Sequence, residues 1–390
     1  MINLEYVAEE KRGFRFGEPQ RLDEKSLAVI LPLIRVTTNP RAYTTFPECQ
    51  EKVLVFDTGR IDIMDVDNQT DQNVFMRSGT LFKGATQSRA LQRSVFLFPK
   101  EKIPVSVRCV HQSRGINSNS KVSYGGVTPL AFDQKVYDHG YTPADQAGYW
   151  SSVKETTKLF SKMTGKAPQG HAKQADVLRR RVSSRGTGQS IGGAIGSAGG
   201  LNSPEITSSA GQVHSEFLSS MTSGPLEAYT SGFEESPQMD MMPVHVPGQD
   251  DLATHFDDFA TSFDSLLSKL ERQENQIGLG LITQSGVQTI EFFDHTHSWK
   301  ALHDSAIKRI GSHVVSKADP SVFEYKPEVA KAQVVKILQL DWDTKKIWEH
   351  KPSNGEPHVK LTGLSAEGFV GEAMEVNKEL IHLVILKKAA

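Results

Sequence analysis

Between Gly165 and Gln249 the chain changes in kind, and that break limits what the rest can fold into. Gly and Ser make up 26 of these 85 residues, and Ser183 to Asn202 alone holds 11 of them in 20. A segment this rich in small residues cannot bury enough apolar surface to offset the entropy of ordering its backbone. It is expected to be a flexible, low-complexity insertion over 164–250 that separates an N-terminal half, 1–163, from a C-terminal half, 251–390. Its glycines do not make a phosphate loop. Gly186-Thr187-Gly188-Gln189-Ser190-Ile191 has neither the lysine nor the third glycine that such loops need. The basic cluster Lys173, Arg179, Arg180, Arg181, Arg185 and the Met-rich stretch Met239 to Met242 read as solvated linker features or as a short docking site for a protein partner.

The flanking regions are patterned. In Arg60-Ile61-Asp62-Ile63-Met64-Asp65-Val66 apolar and charged residues alternate, as in a strand with one wet face, and Lys52 to Phe56, Asn73 to Met76, Arg93 to Phe98 and Pro104 to Val110 are further strands. Helices are expected over Tyr149 to Met163, over Asp251 to Leu270 with Asp251 as N-cap, and over Ser298 to Val315. A hairpin joins Ile277 to Ile282 with Val287 to Phe293, and strands are expected at Ala332 to Leu340, His358 to Leu361 and Leu380 to Leu386. The fold class is α+β: two β-rich halves of mainly antiparallel strands packed with about three main helices.

Composition excludes several functions. A net charge of −2 over 390 residues argues against a chain-wide nucleic-acid footprint. No run approaches the roughly 18 apolar residues of a membrane-spanning helix, and the N-terminus lacks the apolar core of a signal peptide. A cytoplasmic protein with no membrane partner is expected. Two cysteines, Cys49 and Cys109, exclude a disulfide framework and a four-thiolate zinc site.

Two segments carry a resemblance. Gly79-Thr80-Leu81-Phe82-Lys83-Gly84-Ala85-Thr86-Gln87-Ser88-Arg89 is followed by Ile103-Pro104-Val105-Ser106-Val107-Arg108-Cys109-Val110-His111-Gln112-Ser113-Arg114. Together with the hairpin IGLGLITQSGVQTIEFFDH and the final strand LIHLVIL, they resemble the ARPP domain family, the ARG and rhodanese-phosphatase-superfamily-associated proteins. Thr86 and His111 stand where the family pattern has lysine and glutamate, and Gly115 where it has tryptophan. The resemblance implies a neighbourhood of ADP-ribose and NAD-linked processing.

Three sets of site residues follow. Gln87, Arg89 and Arg114 offer guanidinium forks and an amide to an anionic, nucleotide-derived ligand. Cys109 and His111 share one strand face and could act as nucleophile and general acid or base, although Val105 and Val107 on that face mark it as core. Asp294, His295 and His297, with His303 downstream, offer metal-ligand chemistry without a complete set, so no metal is assigned and no cofactor is identified. An accessory or binding protein, an enzyme on an ADP-ribose or NAD-related substrate, and an interaction protein working through the insertion remain open.

Overall fold

The computed structural model describes residues 4–21, 28–36, 40–84, 88–111, 121–165, 251–315, 326–351 and 357–389. The insertion expected at 164–250 lies outside them from residue 166 on. The described residues belong to one compact unit, Met1–Pro168 with Asp250–Ala390.

Two sheets dominate it. The larger is antiparallel and eight-stranded. It uses β1 (Phe14–Phe16), β2 (Ala28–Arg35), β14 (Gln276–Thr283), β15 (Gly286–Phe293), β16 (Asp343–His350), β17 (Val359–Ala366), β18 (Phe369–Val376) and β19 (Glu379–Lys387). Their order is β1-β2-β14-β15-β19-β18-β17-β16. Strand β2 therefore joins chain from before the insertion to the hairpin after it, with Leu31 opposite Gly280. Its sequence, AVILPLIR, is buried throughout up to Arg35, as a central strand covered on both faces must be.

The second sheet closes into a six-stranded barrel of β4 (Val53–Asp57), β5 (Ile63–Asn68), β7 (Thr80–Lys83), β8 (Ser88–Leu91), β10 (Lys102–Cys109) and β11 (Lys121–Val127). Alternating burial along β4, β5 and β10 puts Val53, Val55, Met64, Val66, Val105 and Val107 inside. Smaller sheets are formed by β3 (Thr44–Thr45), β6 (Val74–Met76) and β9 (Val95–Leu97), and by β12 (Tyr137–Asp138) with β13 (Thr142–Pro143).

The described residues hold seven helices, two of them single turns: α1 (Glu5–Ala8) and α2 (Phe46–Cys49). The others are α3 (Leu130–Val136), α4 (Gln146–Thr164), α5 (Leu252–Leu267), α6 (Thr296–Val314) and α7 (Pro327–Leu338). The α+β class holds, with five sizeable helices where three were expected. Helix α4 starts at Asp145, whose carboxylate accepts from the Gly148 amide at 2.7 Å, and ends at Gly165 in the left-handed region. Helix α5 starts at the expected cap, Asp251, whose side chain accepts from the Ala253 amide at 3.1 Å. Phe160 of α4 stacks on Phe256 and Phe259 of α5, at 5.8 and 4.7 Å between ring centres.

The strand expected at Ala332 to Leu340 is instead helix α7. Pro327 supplies its preset first turn, and Ala330, Val334, Ile337 and Leu338 recur at steps of three and four to make one buried stripe. That stripe packs with Leu31, Leu33, Ile290, Phe292 and Ile385 into the core of the large sheet.

Candidate functional site

The two family-like segments meet at one rim of the barrel. The β7–β8 hairpin leaves at Lys83 and returns at Ser88, which are paired. Strand β10 ends beside β8, with Cys109 opposite Arg89, and β11 re-enters with Ser123 opposite Lys83. Gln87 and Arg114, expected in the ligand set, lie outside the described residues. Arg89, by contrast, is 1% exposed. Its Nη2 donates to both carboxylate oxygens of Asp57, at 3.1 and 2.9 Å, and its Nη1 donates to the Arg60 carbonyl at 2.6 Å. The fork is occupied from within the chain.

Cys109 is fully buried on the core face of β10, and its Sγ donates to the His111 carbonyl at 2.8 Å. Burial pushes its thiol above the usual value. A protonated, enclosed thiol is a small hydrophobe rather than a nucleophile. His111 is also buried, and its Nδ1 lies 3.7 Å from Asp251 Oδ2. The same carboxylate oxygen accepts from Thr254 Oγ1 at 2.8 Å and Ser88 Oγ at 3.3 Å. Backbone bridging of His111 to Asp251 fastens the chain to the barrel where it re-enters after the insertion.

Polar groups missed by sequence reasoning occupy the interior. Glu291 on β15 receives Arg77 in a forked pair, with Arg77 Nη2 at 2.9 Å from Oε2, and Arg309 Nη1 lies 3.6 Å from the same oxygen. Arg309 Nη2 is 3.1 Å from Asp133 Oδ2, and Thr128 Oγ1 donates to Asp133 Oδ1 at 2.5 Å. All four charged side chains are nearly inaccessible. Burial works to raise the Glu291 carboxyl, but the Arg77 guanidinium, the His382 hydrogen bond and Arg309 hold it well below its usual value. With two cations and two anions the group balances in formal charge, which fits a tie between α3, α6 and the large sheet. One signal for it was present: Glu291 is the lone acid of β15 and stands between the apolar Ile290 and Phe292.

An open groove lies between α5 and α6, about 510 Å³ in volume. Leu267, Leu270, Ile307 and His303 form its buried floor, and Arg272, Lys300 and Lys308 stand on its walls with Asp264, Glu271 and Asp304. Asp304 is bonded to His303 Nδ1 at 3.2 Å. Among the described residues none of the three cations has an ion-pair or hydrogen-bond partner. His303 belongs here, apart from Asp294, His295 and His297 at the start of α6. Among the described residues no three His, Cys, Asp or Glu side chains converge as a metal site would need.

The fold and its sites define a class: an α+β protein with a closed barrel, a wide antiparallel sheet and an open groove beside α6. The chain belongs to the ARG and Rhodanese-Phosphatase-superfamily-associated Protein domain family, whose model matches residues 13–386. No curated protein and no solved structure matches the chain. No helix among the described residues is long and apolar enough to cross a membrane.

Proposed function

We propose that this chain is an accessory binding protein for an anionic, nucleotide-derived ligand of the ADP-ribose class, and that the α5–α6 groove receives it. The observation that carries the reading is the set of three unpaired cations, Arg272, Lys300 and Lys308, above an apolar floor. Ammonium groups serve phosphate as point charges and a guanidinium serves it as a fork. Leu267, Leu270 and Ile307 give a base a surface to lie on, while Asp264 and Glu271 can accept from hydroxyls. A volume of 510 Å³ falls within the roughly 300–1,000 Å³ of small-molecule sites.

Calorimetry with ADP-ribose on the full chain tests this. Wild type should bind, and Lys300→Ala with Lys308→Ala should weaken binding at least about tenfold, each lost charge-assisted hydrogen bond being worth about 1.5–3 kcal/mol. No heat for wild type, or equal affinity in the double variant, overturns the groove assignment. Gln87→Ala and Arg114→Ala serve as the second arm, because Gln87 and Arg114 are the other ligand candidates that the family-like segments offer. Loss there with retention in the lysine variant moves the site to the family-like segments.

A further inference from the structure

His303 sits in the floor of the α5–α6 groove, where it serves neither phosphate nor hydroxyl. The residue is 8% exposed, so most of the ring is packed away, and Trp299 meets it edge to face at 6.0 Å between ring centres. Along α6, Lys300 precedes it by about 4.5 Å of helix rise and Ile307 follows it by about 6 Å, at steps of three and four that keep all three on one face. Leu267 and Leu270 line the groove with them. The imidazole therefore stands between a cation and the apolar part of the floor.

Its two ring nitrogens are not equivalent. Nδ1 lies 3.2 Å from Asp304 Oδ1, and an ionised carboxylate only accepts, so the neutral ring keeps its proton on Nδ1 and donates it there. Nε2 is then a bare acceptor. Among the described residues no group hydrogen-bonds it, and it is not sealed from solvent in the way that Trp299 Nε1 and His382 Nδ1 are. Burial lowers the pKa of this imidazole against the opposing pull of Asp304, which keeps the ring neutral near pH 7.

On the reading that the groove holds a ligand of the ADP-ribose class, on which this inference rests, we propose that His303 is its specificity-determining residue: Nε2 accepts from the exocyclic amine of adenine and so selects adenine over bases that carry an oxo group. An acceptor set in a floor of leucine and isoleucine is offered no second partner by the protein, so the ligand brings a donor or leaves the lone pair unmet. Adenine brings an N–H. Hypoxanthine has a carbonyl oxygen at the same ring position, which sets lone pair against lone pair, and a purine with no 6-substituent has nothing to give. Ribose hydroxyls are met elsewhere, by Asp264 and Glu271, and the diphosphate by Lys300, Lys308 and Arg272.

Calorimetry on the full chain tests this with ADP-ribose, its hypoxanthine counterpart and the counterpart whose purine has no 6-substituent. Wild type should bind ADP-ribose at least about tenfold more tightly than either of the others. In His303→Leu the three affinities should converge, whereas a side chain with a packing role alone would shift all three together and leave their ratio intact. Asp304→Ala alters an exposed side chain, releases Nδ1 and lets the proton move to Nε2, so the preference should shrink there with the melting temperature unchanged. Equal affinity of wild type for the three compounds overturns the assignment of His303 and leaves the groove reading standing. A preference that survives intact in His303→Leu, or in Asp304→Ala where the first variant does not fold, does the same. If ADP-ribose gives no heat with wild type, or binds equally well after Lys300→Ala with Lys308→Ala, the groove reading falls and this inference falls with it.

Discussion

Burial pushes the Asp294 carboxyl up from 3.8 to about 6, against the opposing pull of the Tyr43 hydrogen bond and of Arg35. Below about pH 3 the carboxyl is protonated in folded and unfolded chains alike. As pH rises towards 6 the unfolded chain ionises first, so it binds fewer protons than the folded one and stability falls, levelling off above 6. Asp294→Asn cannot ionise. Relative to wild type it should gain about 2 kcal/mol between pH 4 and pH 7 in urea unfolding, given about 1.4 kcal/mol per unit and some solvent access. A constant difference across that range would refute the buried-carboxyl account. Cys109 gives a second prediction at this scale. With its thiol enclosed and raised by burial, it should react with a thiol reagent at pH 8 only after denaturant is added, whereas fast reaction in the native protein would revive it as a nucleophile. The core character of the Cys109 face was legible, because Val105 and Val107 alternate with it. The engagement of Arg89 was not: its partner Asp57 is 32 residues away, and only closure of the barrel brings the two together.

At the scale of elements, periodicity worked wherever a helix has a wide stripe, as in α5, and failed where the stripe is short. In α7 the apolar residues Val334, Val335, Ile337 and Leu338 bunch together like a buried strand, and Pro327 at the helix start is the counter-signal. The hairpin IGLGLI was read correctly as a strand, but its two glycines have different tasks. A Cβ on Gly278 would fall 2.2 Å from the Glu291 carbonyl oxygen and 2.6 Å from Phe292 Cα, both backbone of the neighbouring strand. A Cβ on Gly280 would come closest to Val334 Cγ2 of α7, at 3.0 Å, and would touch backbone only at the ordinary contact distance of 3.9 Å, at the Leu31 carbonyl oxygen. A backbone clash cannot relax by rotating a side chain. Gly278→Ala should therefore cost about 3 kcal/mol and Gly280→Ala about 1 kcal/mol, measured as denaturant midpoints. Reversal of that order would mean that β14 and β15 can slide apart locally.

For the whole molecule, the sequence shows a break at Gly165 but not that chain before and after it shares one sheet. The contact of β2 with β14 is a long-range pairing of apolar strands, and nothing local to either strand names its neighbour. Two features fasten chain from either side of the break. Arg77 and Asp133 precede it, while Glu291 and Arg309 follow it. Removing one partner strands a buried charge, so Arg77→Met should destabilise by about 3–5 kcal/mol, whereas an exposed pair such as Arg60 with Asp62 should be worth under about 1. The second fastening is the aromatic stack of Phe160 on Phe256 and Phe259, close to the end of α4 and the start of α5. With those helices packed so near their facing ends, a flexible Gly/Ser linker of about ten residues, with a mean span of about 16–19 Å, should suffice to replace 169–249. Every described core contact would be retained in that variant, since all of them lie within Met1–Pro168 and Asp250–Ala390. Its melting temperature should stay within about 2 °C of wild type, about the shift that 1 kcal/mol produces in a unit of this size. ADP-ribose binding, if it belongs to the groove, should persist. A large drop in melting temperature would show that 169–249 contributes to the core, and loss of ligand binding at unchanged stability would place part of the site on that segment.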